Sequence, residues 1–422
     1  MKRSAFVTTL AALLLATASA GADDLLDRLD RALTFNSPDG TTRAHLSGLI
    51  DAEGYLAEKP APGLLFTDNN FLFTPRLRLF FDAQLGSHFY AFAQARFDDG
   101  FDPGYSDVEV RMDEYLLSYK PWATGPVRLQ IGKFATVAGN WVQRHDSWAN
   151  PFITAPLPYE NLTGISDRVA NNSISMLLGL SNRTGSAIKS RSKSSGKSTI
   201  KHKGIPIIWG PSYASGAALF LQLGKFDLAA EVKNTSLSSR PNTWDATQTG
   251  FEYPTFTARF AFRPDPAWHF GASASSGTYL TPEAAPSLQP GRDLGDYRQI
   301  VIAQDLSFAW HHWQVWAEFF ETRFEVPGVG NMDTVAYYIE AKYKFTPQLF
   351  GALRWNQQLY STVRDASGAS QPWGNELWRI DAALTYRFTP RIQTKLQYSF
   401  IDEDSAERAQ AHLSAMQFTV RF

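Results

Sequence analysis

Cysteine is absent from the 422 residues, which excludes disulfide frameworks, zinc knuckles and thiol catalysis. Long apolar runs are missing too. After the first twenty residues no stretch reaches the roughly 18 consecutive apolar residues of a membrane-spanning helix. Charge of either sign is lacking in excess: the net value is −1 at pH 7. No overall field points to nucleic acid or another charged partner, so charge arguments have to be local. No GxSxG, HExxH or P-loop pattern occurs. His145-Asp146-Ser147 holds triad residue types, but neighbours in sequence rarely point at one another. No catalytic residue, metal site or cofactor is expected.

What the chain does have is aromatic rings: 12 Trp, 16 Tyr and 30 Phe. Hydrophobic residues make up 44%, yet the mean hydropathy is −0.25. Apolar and polar residues must therefore be interleaved. The N-terminus has an export pattern: Lys2 and Arg3, then a mostly apolar stretch Ala5 to Thr17, then Ala18-Ser19-Ala20 as a small-residue cleavage site. Residues 1–20 are read as a signal peptide, with Ala20-Gly21-Ala22 as the rival cleavage site. A cysteine-free chain suits the oxidising compartment that such a signal implies. Residues 21–42 form a short periplasmic segment, helical over Asp23 to Leu33 and broken at Asn36 to Gly40.

From residue 43 to 422 the period is two. In Phe71 to Leu85, Phe73, Leu77, Leu79, Phe81, Ala83 and Leu85 share one face, and Arg76, Arg78, Asp82 and Gln84 the other. Leu377 to Phe388, Thr334 to Phe345, Arg391 to Ile401 and the C-terminus repeat the pattern. Segments of about ten alternating residues serve a strand with lipid on one face and water on the other. Sixteen such segments can be counted, an even number. Tight links at Gly86-Ser87, Gly224, Pro264 to Pro266, His311 and Thr346-Pro347 alternate with long polar ones at 58–69, 235–252, 278–294 and 361–374. That parity predicts an all-β fold, a transmembrane antiparallel β-barrel in the bacterial outer membrane.

Alternation predicts the lumen wall. Inward cations are Arg76, Arg78, Arg96, Arg128, Arg259, Lys342, Arg354, Arg379, Arg387, Lys395 and Arg421. Inward acids are Asp51, Glu53, Asp82, Asp98, Glu231, Asp305, Glu318, Glu340 and Asp381. They cannot face lipid, where a Lys or Arg at mid-depth costs roughly 2–4 kcal/mol. The third loop, 135–212, is far longer than the rest and is expected to fold inward and narrow the pore. From Arg168 to Phe226 there is no Asp or Glu at all. Arg183, Lys189, Arg191, Lys193, Lys197, Lys201 and Lys203 crowd the same stretch, and rings of Lys and Arg serve anion or phosphate pores. Gly204 to Trp209 (GIPIIW) reads as a packed part of this loop.

The signal peptide, the sixteen-strand layout and the strand ending Ile131-Gly132-Lys133-Phe134 before a long third loop resemble the phosphate-selective porin O/P family. The Gln417 to Phe422 ending is similar to that of outer-membrane proteins generally. The resemblance implies a homotrimeric channel in contact with lipid and lipopolysaccharide, inserted by the barrel-assembly machinery through its C-terminal aromatic strand. It also implies an anion path lined by arginine and lysine. Arg76, Arg78, Arg96, Arg128, Arg259, Arg354, Arg379 and Lys395 are its candidates, together with the basic loop residues. The function expected is passive diffusion of small hydrophilic solutes, with an anion or phosphate preference. A more specific channel for sugars or organic solutes, and a barrel enzyme or adhesin without an open pore, are the alternatives.

Overall fold

Alternation places the apolar face of each strand outside and the charged face inside, and the cross-strand register fixes the shape. A computed structural model describes residues 19–57, 63–65, 70–98, 109–181, 204–241, 250–404 and 410–422. Its main strands are β1 (Thr42–Ala57), β2 (Phe71–Leu85), β3 (Phe89–Asp98), β4 (Glu109–Tyr119), β5 (Val127–Phe134), β6 (Ala214–Leu223), β7 (Phe226–Lys233) and β8 (Thr255–Phe262). They continue as β9 (Trp268–Thr278), β10 (Arg298–Trp310), β11 (Trp313–Val326), β12 (Gly330–Lys344), β13 (Leu349–Tyr360), β14 (Leu377–Thr389), β15 (Ile392–Glu403) and β16 (Gln410–Arg421). Each pairs antiparallel with its sequence neighbour. β16 returns to β1, from Leu413↔Ala57 to Arg421↔Leu49. The result is a closed sixteen-stranded barrel, which leaves no free edge for hydrocarbon to leave unsatisfied.

The outer wall is apolar over the middle of the strands. Ile50, Phe73, Ile131, Ile302, Ile339, Leu353, Leu396 and Met416 are all exposed there. Rings gather at the ends. Phe89 against Tyr119, Trp268 against Phe308, Trp313 against Tyr343 and Tyr386 against Phe388 ring the tight-turn end, with centroids 4.4 to 5.0 Å apart. Such girdles mark the two interfaces of a lipid bilayer. His311, at φ +51°, turns the β10–β11 link, and its ring meets Trp310 edge-on at 4.1 Å.

Two links depart from the expected parity. The β11–β12 link on the long-loop side has only residues 327–329, made possible by Gly328 at φ +68° and Gly330 at φ +106°. The β4–β5 link on the tight side is longer, 120–126. The N-terminal helix runs Ser19–Ala32, starting before the expected Asp23; residues 1–18 of the signal segment lie outside the described residues. The helix docks on the tight-turn end through Asp27 to Arg391 at 2.7 Å and Asp30 to His45 at 2.9 Å. The His45 hydrogen bond and the Arg391 charge hold the Asp30 carboxyl below its usual range. A three-residue strand, Thr34–Asn36, then pairs with β1.

β5 ends irregularly. Gly132 sits at φ +132° opposite Gly216, and Lys133 and Phe134 beyond it are both buried. A Cβ at Gly132 would lie 2.1 Å from the Tyr115 carbonyl oxygen. Gly132→Ala should therefore block closure of the wall at β4–β5. Loss of the heat-modifiable barrel band on unboiled gels checks this, and normal assembly of the variant would refute it.

Candidate functional site

A loop drawn into a barrel must find partners for its own backbone groups once it displaces water. Here the wall supplies them. From Ala135 the chain leaves β5 and crosses the lumen. The backbone N–H groups of Asn140 and Trp141 donate to the Glu318 carboxylate on β11, and the Tyr159 hydroxyl donates to the same group at 2.7 Å. Thr136 donates to Glu231 at 2.6 Å, and Arg144 reaches Glu340 at 2.6 Å. Ile153 and Thr154 N–H share the Gln397 side-chain oxygen at 2.6 and 3.2 Å. Leu157 N–H donates to Asn356, and Asn161 to Gln358.

The carbonyls are satisfied from the wall as well. Lys395 donates to Ser147 and Asn150 carbonyl oxygens. Arg354 donates to Thr154 and Ala155 at 3.1 Å, and Arg379 to Ala155. Apolar packing completes the seal. Trp141, Val142, Tyr159, Ile207 and Ile208 press on inward Val301, Ala303, Phe320, Ala336 and Tyr338 of β10 to β12. Above them Leu162, Ile165, Leu177, Ile205 and Trp209 join Tyr279, Leu294, Tyr360 and Trp373 from the long-loop end. The GIPIIW stretch is packed, as its composition predicts.

Six of the inward cations meet carboxylates. Arg354 and Arg379 are buried and share Asp381, at 2.8 and 3.1 Å; Arg354 also lies 3.7 Å from Glu340, and Arg379 also pairs with Glu160 of the loop. Arg259 forks Asp305 at 2.5 and 2.8 Å. Arg78 meets Asp51 at 3.4 Å and Ser147 at 2.6 Å. Arg76 pairs with Glu53 at 3.1 Å and Asp98 at 3.4 Å, and Arg96 with Asp113 at 2.6 Å. Arg128 has neutral partners, Gln130 at 2.8 Å and the Phe220 ring at 3.8 Å. Thus most inward cations hold the wall and the loop together. Arg76 and Arg96 keep 22% and 15% of their side chains exposed, against 2% for Arg78. All seven basic loop candidates, Arg183 to Lys203, lie outside the described residues.

Alternation alone misses part of this set. The β3–β4 register slips beside Gln94, so Asp113 is an extra residue. It and Glu114 are both turned inward, and Arg111 is buried beside Asp113 at 3.0 Å. Two adjacent acids in an alternating strand were the signal for that bulge. Glu160 and Arg144 come from the loop, where no period predicts direction.

On the tight-turn side of the loop a cavity of about 1020 Å³ opens, lined by Arg128, Gln130, His145, Phe220, His269 and Trp316 among others. His145 lines this cavity, and with Asp146 and Ser147 it forms no relay. The imidazole bonds the Val142 carbonyl and the Tyr213 hydroxyl, Asp146 accepts from Trp148 and Ala149 N–H, and Ser147 accepts from Arg78.

No protein-family model matches this sequence, and no curated protein matches it. Solved structures do match in fold. Salmonella typhi OmpF in complex with daunomycin has a TM-score of 0.57 at 12% identity, covering 92% of this chain and 100% of that one. An anion-selective porin from Comamonas acidovorans has 0.55 at 10%, covering 90% and 100%. OmpT, an outer membrane protein of Vibrio cholerae in trimer form, has 0.53 at 10%, covering 90% and 100%. At such identities the likeness is one of fold.

Asp381 is the residue on which two buried guanidinium groups depend. Asp381→Asn removes the charge and keeps the shape. Leaving buried cations short of a partner costs about 3–5 kcal/mol. The thermal midpoint of the barrel in detergent should fall, and the 150–160 segment should become open to protease. An unchanged midpoint would mean that the network does not hold the loop.

Proposed function

We propose that this protein is an outer-membrane porin, exported by its N-terminal signal and assembled as a homotrimer, that passes small hydrophilic solutes with a preference for anions. One observation carries the reading: a cavity of about 1020 Å³, lined by charged, polar and aromatic side chains, inside a closed barrel whose outer wall is apolar. Two of the matched structures support it, one an anion-selective porin and the other an outer membrane protein in trimer form. Lipopolysaccharide and the assembly machinery are the partners this location brings.

The packing favours one route. Along β10 to β15 the loop is sealed to the wall, and Arg354 and Arg379 are buried. Along β2 to β4 the row of Arg76 and Arg96 stays partly exposed. Solute then passes on the β2–β4 side, through a row of alternating sign, and enters the cavity beneath the loop. Phosphate preference is the finer form of this reading. It draws on the family resemblance and on the basic tract 183–203, which would guard the outer entrance. A channel for organic solutes is the second reading, favoured by Phe220, Trp268 and Trp316 in the cavity wall.

In a planar bilayer the protein should give step conductances, with an anion-selective reversal potential in a salt gradient. Absence of steps would sink the porin reading. Replacing Lys189, Lys193, Lys197, Lys201 and Lys203 by Gln should lower anion preference severalfold. An unchanged reversal potential would remove that tract from the path. Glu318→Ala, which frees two loop N–H groups and the Tyr159 hydroxyl, should raise conductance or its noise; quiet wild-type steps would show that the loop is held without it.

A further inference from the structure

The inward cations fall into two groups. Arg76, Arg78, Arg96, Arg259, Arg354 and Arg379 each have a carboxylate within ion-pair distance. Five others do not among the described residues: Arg128 and Lys395, which bond neutral groups, and three at the tight-turn end of β12, β14 and β16. The Arg387 guanidinium lies 5.1 Å from the Trp148 ring and 5.4 Å from the Phe350 ring. Arg421 lies 4.4 Å from the same Trp148 ring, and the Lys342 ammonium lies 4.3 Å from the same Phe350 ring. Two rings therefore gather three cations, and Trp148 comes from the lumen loop while the cations come from the wall.

The hydrogen bonds of the two guanidinium groups run to neutral partners. Arg387 donates through Nε to Gln393 at 3.3 Å, and Arg421 through Nε to the Pro390 carbonyl at 2.8 Å. The Nη edges of both, the edges that fork a carboxylate or phosphate, meet no protein acceptor among the described residues. The nearby acids are engaged elsewhere. Asp146 caps Trp148 and Ala149, Glu340 is held by Arg144 and Arg354, and Asp30 is held by His45 and Arg391. Arg421 is exposed, and Arg387, Lys342 and Trp148 are half-buried, so the cluster is open to the lumen. Three like charges over rings that strip part of their water repel one another unless an anion joins them.

We propose that Arg387, Arg421 and Lys342, gathered by Trp148 and Phe350, form a binding site for oxyanions on the tight-turn side of the lumen loop. Carboxylate and phosphate share the chemistry required: two or more oxygens to meet the guanidinium edges, and negative charge to balance the cluster. A carboxylate attached to a flat ring gains in addition the exposed part of the Trp148 face. The inference rests on the channel reading for the route by which the anion arrives, and its chemistry stands apart from that reading.

Isothermal titration of the full detergent-solubilised protein with sodium phosphate, sodium benzoate and sodium chloride decides it. Phosphate or benzoate should bind, with chloride far weaker. Benzoate alone would identify organic carboxylates as the source, and phosphate alone inorganic anions; either result supports the site. The R387Q/R421Q double variant should bind at least tenfold more weakly, since one charge-assisted bond is worth about a factor of ten or more. Arg292→Gln, on a distant exposed loop, should bind as wild type. Equal affinity in the double variant, with its heat-modifiable band intact, would overturn the proposal, as would no binding to wild type. Should the double variant fail to assemble, Arg421→Gln, altered at an exposed side chain near the C-terminus, serves the same comparison. Bilayer recordings separate the two readings: a protein without step conductance that still binds through Arg387 and Arg421 loses the channel and keeps the site.

Discussion

A peptide segment packed inside a β-barrel brings backbone N–H and C=O groups to a place where the strands have none to spare. Strand groups are already committed to the ladder, and packed side chains exclude water. Every such group must then pair within the loop, as Thr163 and Ile205 do, find a wall side chain, or be left unsatisfied at a cost of about 1–3 kcal/mol. Much of the interior follows from this constraint. Glu318, Gln397, Asn356, Lys395, Arg354 and Arg379 point inward and end on the loop's backbone. Polar residues that would face water in an open tube are here the scaffold of a plug.

The same constraint governs charge. A guanidinium that donates to loop carbonyls is buried, and a buried cation needs a carboxylate to offset its lost hydration. Asp381 between Arg354 and Arg379, and Asp305 against Arg259, supply it. The inward acids and inward arginines are therefore two halves of one arrangement. Their near-equal numbers leave little net field on the sealed side of the lumen, so positive potential is left to the cations outside these pairs.

Much of the fold was legible in the sequence because a barrel strand writes its two faces residue by residue. The period of two identified the sixteen strands, and link length told the two ends apart. The inward positions of Arg76, Arg354 and Asp381 followed from the same period. What the period could not carry was the fate of each inward side chain. Whether Arg354 meets water or the Thr154 carbonyl depends on a loop residue 200 positions away. The bulge at Asp113 and the three-residue turn at 327–329 broke the rule locally. Val301, Ala303, Phe320 and Ala336 were a legible hint, since apolar residues on the inward face of three adjacent strands require something apolar inside.

These features together make the lumen asymmetric along its axis. Toward the long-loop end, loop and wall form a dry core around Ile165, Trp209, Phe324 and Trp373, in which charge is paired or absent. Toward the tight-turn end the loop ceases to fill the barrel, a cavity opens, and Arg128, Lys342, Arg387 and Arg421 meet rings and neutral groups in place of acids. A ring beneath a cation tolerates its charge without neutralising it, so positive potential survives there that ion pairing removes elsewhere. Trp148 is where the two halves meet. It belongs to the segment in which Lys395 holds the Ser147 carbonyl and Arg78 the Ser147 hydroxyl, and its ring faces Arg387 and Arg421. The bonds that hold the loop in the lumen thereby also set the position of the unpaired cations' ring, which ties the seal on one side to the electrostatics on the other.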